Sequence, residues 1–169
     1  MLYKIIGTAL LILTGGYVSL SISRFERRRL GVLDAYISLI YYIKGQIDCY
    51  AMPLADILAR ADPTLIAACL GLEVRGYECE TAERVVSAPL PVLLQESRLY
   101  LEPECERLLT TFTGELGTVH RAEQVARCDY YIEALTRERN KLADALPARQ
   151  RTCGTLAVCC SIALSLLLW

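Results

Sequence analysis

What this sequence lacks excludes more than what it contains. Its 169 residues hold one histidine, one tryptophan, two phenylalanines and two methionines. There is no glycine-rich phosphate loop, no H-E-x-x-H, no G-x-S-x-G, and no serine or cysteine paired with a placed histidine. The usual sequence marks of hydrolases and nucleotide-binding enzymes are therefore missing. The lone His120 cannot complete a zinc set, and the cysteines form no C-x-x-C. His120 follows a turn at the approach to a helix, where an exposed or capping role suits it. An excess of one charge is lacking too. Eighteen basic residues face 19 acidic ones for a net charge of −1, which argues against nucleic acid as a partner. No alternating strand pattern is visible either, so the chain reads as all-α. No catalytic residue, metal or cofactor is assigned.

Charge is absent from the two ends as well. Of 37 charged residues, 36 lie between Arg24 and Arg151, and Lys4 is the exception. Ile5 to Ser23 is a run of 19 uncharged residues, and Thr152 to Trp169 is one of 18. At ~1.5 Å per residue, either reaches about the ~30 Å thickness of a bilayer's hydrocarbon core. Gly15 and Gly16 are tolerated in such a span, and Trp169 suits the far interface. A cleaved signal peptide ending at Ser21-Ile22-Ser23 is the rival reading of the first run. Arg24, Arg27, Arg28 and Arg29 follow it immediately, and dense positive charge there opposes translocation of what comes next. Arg149 and Arg151 precede the second run, and no charge follows. The expected organisation is a transmembrane helix at 1–23, a cytoplasmic helical domain at 24–151, and a transmembrane helix at 152–169. Both termini lie outside, and the lipid bilayer is the first partner.

This placement decides the eight cysteines. Cys49, Cys69, Cys79, Cys105 and Cys128 fall in a reducing compartment, and Cys153, Cys159 and Cys160 in the bilayer. They read as small buried hydrophobes, not as a disulfide framework.

Between the spans, Leu30, Leu33, Ile37 and Ile40 repeat at helical spacing; Lys44 breaks the row and Ile47 resumes it. Tyr36, Tyr41, Tyr42 and Tyr50 add amphipathic contacts. The helix is expected to end before Met52-Pro53, and a short one to follow from Leu54 to Arg60. Asp62 is a candidate N-cap with Pro63 as the first helical residue, and closure is expected near Gly71 or Gly76. A weaker helix opens at Thr81, with Pro89 and Pro91 interrupting it. Glu102-Pro103-Glu104 starts a helix carrying Cys105, Leu108, Leu109 and Phe112, which ends around Gly114 to Gly117. The last helix repeats Val125, Cys128, Ile132 and Leu135, is interrupted at Arg139, and resumes at Leu142 and Leu146. Pro147 predicts a kink or break just before the membrane. The first and last long helices leave and return through one membrane face, so they are expected to pack antiparallel as a stalk. The alternative has each packing separately on the middle helices.

One charge bias stands out. From Glu73 to Glu106, eight carboxylates face three arginines. Glu73, Glu78, Glu80, Glu83, Glu102, Glu104 and Glu106 make either an acidic docking face or simply a solvated one.

Two short segments resemble the stage III sporulation protein AB family. Met52-Pro53-Leu54-Ala55-Asp56-Ile57-Leu58 is similar to that family's Thr-Pro-Leu-x-Glu-Ala-Leu stretch, with Pro53 and Leu54 in common. Leu116-Gly117, followed by a polar helix start and Gln124, resembles its second turn. Met52 stands where the family has a small hydroxyl residue, and His120 stands near an aspartate position. The resemblance extends over nearly the whole chain in length, terminal spans and order of elements. It implies a non-enzymatic membrane component of the channel-like complex between mother cell and forespore, similar to the platform proteins of type II secretion and type IV pilus systems. It further implies a mother-cell membrane location facing the forespore, a secretion-type cytoplasmic ATPase as partner, and other sporulation-complex membrane proteins beside it. A homo-oligomer is compatible with this layout. The alternatives are a generic two-span adaptor or regulator of another envelope system, and a membrane enzyme using Cys or His chemistry.

Overall fold

A computed structural model describes residues 2–50, 56–57, 60–71 and 90–167. Within the helices, the side chains of residues 2–13 and of most positions beyond 156 lie outside that description. Every described element is helical. The helices are α1 (Leu2–Tyr50), α2 (Pro63–Cys69), α3 (Leu90–Ser97) with a 3-10 turn (Arg98–Tyr100), α4 (Pro103–Glu115) and α5 (Arg121–Leu167). The fold is all-α. The chain divides into two compact units, Arg28–Asn140 and a terminal unit of Met1–Arg27 with Lys141–Trp169.

In the central unit, α1 is buried more widely than its sequence seam predicts. Leu33, Ile40 and Ile47 are buried as the spacing implies, but Val32, Ala35, Tyr36, Leu39 and Ile43 are buried with them. Ile37 is only partly covered, and so is Leu30. A helix contacted on several sides buries more than one stripe, so a two-residue-per-turn seam understates it. On α5, Cys128, Ile132 and Leu135 are buried and Val125 is partly so. Ile57, Ile66, Cys69, Leu93, Leu109 and Phe112 complete the core from the shorter helices.

The two basic residues that interrupt the seams join α1 to α5. Lys44 Nζ donates to Asp129 Oδ1 at 2.6 Å, and Arg139 Nε to Asp34 Oδ1 at 2.9 Å. Ten residues forward on α1 match ten residues back on α5, so within this unit the helices run antiparallel.

The caps follow local chemistry. Asp62 Oδ1 accepts from the Thr64 N–H at 2.9 Å and from its hydroxyl at 2.7 Å, and Pro63 occupies the first turn of α2. Those Thr64 hydrogen bonds hold the Asp62 carboxyl below the usual carboxylate range. Gly71 closes the helix with φ +70°. Residues 56–57 are helical. The remainder of the Leu54–Arg60 expectation falls largely outside the described residues, as do Met52, Pro53 and the helix expected from Thr81.

The helix that Pro89 and Pro91 are expected to interrupt lies outside the described residues, but Pro91 itself falls at the second position of α3, where a missing N–H has no helical acceptor to disappoint. Of the kink or break expected at Pro147, the break does not occur, because α5 continues through it to Leu167. Pro147 is exposed, which leaves the carbonyl it cannot serve open to hydration.

Candidate functional site

The sequence offered three sets of functional residues: an acidic face, a pair of turns and a group of flanking arginines. Three described members of the acidic face, Glu102, Glu104 and Glu106, each pair with an arginine. Glu102 occupies the N-cap position of α4 but makes no side-chain capping bond. It meets Arg29 Nη2 at 3.1 Å instead. Arg29 Nε also donates to the Tyr100 carbonyl at 3.3 Å, and its side chain is only 14% exposed. Glu104 pairs with Arg107 at 2.6 Å and Glu106 with Arg98 at 2.8 Å. With these three glutamates each meeting an arginine, charge of both signs is patterned at this end. Glu73, Glu78, Glu80 and Glu83 lie outside the described residues, so the face is seen only at its α4 end.

At the second turn, Leu116 is buried and its N–H donates to the Phe112 carbonyl at 3.0 Å. Gly117 takes φ +83°. The Gln124 N–H donates to the His120 carbonyl at 2.9 Å, so exposed His120 caps α5 through its backbone. Glu115 accepts from Tyr131 Oη at 3.0 Å and pairs with Arg127 at 3.0 Å; Arg127 also meets Glu123 at 2.8 Å. The rings of Phe112 and Tyr131 meet edge-on with centroids 5.2 Å apart. Burial, with Glu115 adding to it, pushes the Tyr131 phenol up to about 12. The second turn is thus a cross-braced corner between α4 and α5. Pro53 and Leu54 of the first turn lie outside the described residues.

The central unit also holds a polar pair that the sequence did not signal. Tyr36 Oη and Ser97 Oγ are 2.6 Å apart in the core, and Ser97 Oγ reaches the Leu94 carbonyl at 3.3 Å. Burial drives the Tyr36 phenol well above its ordinary range. Nothing in the local pattern of either residue marks a partner 61 positions away. Of the cysteines expected to be buried, Cys69, Cys105 and Cys128 are, and burial raises them to about 12, 11 and 11, whereas Cys49 is exposed. At neutral pH the three buried thiols stay protonated and poorly nucleophilic. Among the described residues no group of His, Cys, Asp and Glu converges as a metal set.

In the terminal unit, α1 and α5 meet through a polar seam. Gln150 Nε2 donates to Ser23 Oγ at 2.6 Å, and Arg149 Nη1 lies 3.5 Å from Glu26 Oε1. Arg24, Arg27 and Arg151 are exposed. Arg29, grouped with them by sequence, belongs to the central unit. Among the described residues, no helix is long and apolar enough to cross a membrane. Much of both apolar runs consists of side chains outside the description, so the anchoring expectation rests on sequence. Tyr17 (71%), Leu20 (60%) and Leu156 (59%) are exposed apolar side chains of this unit.

No curated protein and no solved structure matches the chain. The family model for stage III sporulation protein AB matches residues 4–169. With agreement over essentially its entire length, the chain belongs to the stage III sporulation protein AB family.

Proposed function

We propose that this protein is a non-enzymatic membrane platform component of the sporulation complex linking mother cell and forespore. Residues 1–23 and 152–169 anchor it, and the central helices face the cytoplasm as a docking module for a secretion-type ATPase. The observation that carries the anchoring is the exposure of Tyr17, Leu20 and Leu156 on the terminal unit. Large apolar side chains exposed in this way are costly in water and favourable in lipid. Arg24, Arg27, Arg149 and Arg151 flank the two runs on one side, as retention of the central unit in the cytoplasm requires. Membership of a sporulation family supports the cellular setting. The mixed, internally paired charges around Arg29, Arg98 and Arg107 support docking by matched surface pattern.

Two measurements test this. The chain should float with membranes through alkaline carbonate extraction, and extraction into the soluble fraction would overturn the anchoring. From detergent-solubilised sporulating cells, the chain should co-purify with the secretion-type ATPase of the same complex. Loss of that ATPase from an otherwise intact membrane complex would overturn the docking role.

A further inference from the structure

Within the terminal unit, α1 carries one stripe that changes from apolar to basic along its length. Tyr17, Leu20, Arg24 and Arg27 are all exposed there. At about 100° per residue, their spacings of three and four place them inside a sector of roughly 80°. Among the described residues neither arginine has an ion-pair or hydrogen-bond partner, whereas Arg29 is held by Glu102 and Arg149 meets Glu26. We propose that this stripe binds an anionic phospholipid without an amine, of the phosphatidylglycerol type. The phosphate sits on Arg24 and Arg27, and an acyl chain lies along Leu20 and Tyr17. The inference rests on the membrane-anchored reading above and names a lipid which that reading leaves open.

Depth, direction and charge select this ligand. Four residues at ~1.5 Å each separate Leu20 from Arg24 by about 6 Å along the helix axis. The head-group layer of one leaflet is roughly 5–8 Å deep, so a Leu20 seated at the edge of the hydrocarbon puts Arg24 among the phosphates. Helical side chains lean toward the N-terminus of their own helix. On α1 that carries Arg24 and Arg27 toward the apolar run and onto the phosphate layer. On α5, where the apolar run follows the arginines, it carries Arg151 away from that layer. Two guanidinium groups one turn apart can share the oxygens of one phosphodiester. None of the four stripe residues has a carboxylate to receive an ammonium, so an ethanolamine head group would bring its cation against two others. The intervening Glu26 meets Arg149 instead, and its side chain is only 15% exposed.

The test uses the full chain in phosphatidylcholine vesicles containing a trace of photoactivatable phosphatidylglycerol. Cross-links should map to peptides containing residues 17–27. Unlabelled phosphatidylglycerol should displace the probe about 30-fold better than phosphatidylethanolamine, at about fivefold for each arginine. Arg24→Gln with Arg27→Gln should abolish that preference while the chain still floats with the vesicles, and Arg151→Gln should leave it unchanged. Equal displacement by phosphatidylethanolamine, or cross-links elsewhere, would overturn the assignment without touching the anchoring. Displacement by water-soluble glycerol phosphate would overturn it too, by showing a site for a free anion. The competition series on the unmodified chain decides the matter even where a variant folds poorly. A chain that does not float overturns the anchoring itself, and the lipid site with it.

Discussion

Gly71 packs against the ring of Tyr100 so closely that a Cβ at residue 71 would come within 2.9 Å of Tyr100 Cε2. Gly71 also holds φ +70°, so two independent constraints fall on one residue. Gly117 carries only one of them, with φ +83° and open space around it. Gly71→Ala should therefore cost about 2–3 kcal/mol, combining left-handed strain with displacement of the ring. Gly117→Ala should cost about 1 kcal/mol from strain alone. Urea midpoints of the full chain in detergent measure both. Combining Gly71→Ala with Tyr100→Ala should bring its cost down toward that of Gly117→Ala. Equal costs for the two single variants would show that the ring contact contributes nothing.

The Tyr36–Ser97 pair makes an asymmetric prediction. Tyr36→Phe leaves Ser97 its bond to the Leu94 carbonyl and should cost about 1 kcal/mol. Ser97→Ala strands a buried phenol and should cost about 2–3 kcal/mol. The double variant should cost less than the sum, because no polar group is then left alone. Additive costs in denaturation would contradict the hydrogen bond.

Arg29 should separate from its neighbours in sequence. Arg29→Ala removes a charged hydrogen bond to Glu102 and one to the Tyr100 carbonyl, and should cost about 2–3 kcal/mol of stability. Arg24→Glu with Arg27→Glu changes exposed side chains. It should leave the urea midpoint nearly unchanged while moving reporters fused after Ser97 toward the outside. The opposite pattern, with Arg29 acting on topology and Arg24 and Arg27 on stability, would sink both assignments.

Buried thiols set a limit in alkali. Cys69, Cys105 and Cys128 keep their protons to about 11–12 when folded, against 9.0 for an exposed thiol. The unfolded chain loses those protons first, so it binds fewer than the native state, and stability falls as pH rises. The loss should begin near pH 9 and run to pH 11–12, at about 1.4 kcal/mol per pH unit for each thiol within its window. Replacing all three by alanine should lower stability at pH 7 but flatten its slope above pH 9. At pH 7, a maleimide should modify exposed Cys49 well before these three.

Much of the fold was legible because its signals are local. Asp62-Pro63 and Glu102-Pro103-Glu104 mark helix starts by chemistry contained within three residues, and both helices begin there. The all-α class followed from periodicity alone. What escaped was set by partners far along the chain. Helix α3 was hidden because Pro89 and Pro91 read as breakers, though Pro91 falls in the turn that needs no N–H. At Pro147 a break was one expected outcome, yet α5 runs through, the exposed position of the residue leaving the unserved carbonyl open to water. Lys44 and Arg139 looked like flaws in two apolar seams until Asp129 and Asp34 were found opposite them. Arg29 read as a topology signal because a run of arginines carries no mark of which member turns inward. The acidic bias was visible as a count, but its pairing with Arg29, Arg98 and Arg107 was not.

The antiparallel pairing of α1 with α5 also imposes an order on biosynthesis. The apolar face of α1 from Val32 to Ile47 emerges early, yet its counterpart from Cys128 to Leu135 is among the later residues made. At ~5–20 residues per second, the ribosome needs roughly 4–20 s to travel from Ile47 to Leu135. Through that interval α1 carries an uncovered apolar surface that only the shorter helices, as they appear, can shield. Folding of the central unit is thus tied to the synthesis of α5, and a chain cut short before α5 leaves α1 a template for aggregation.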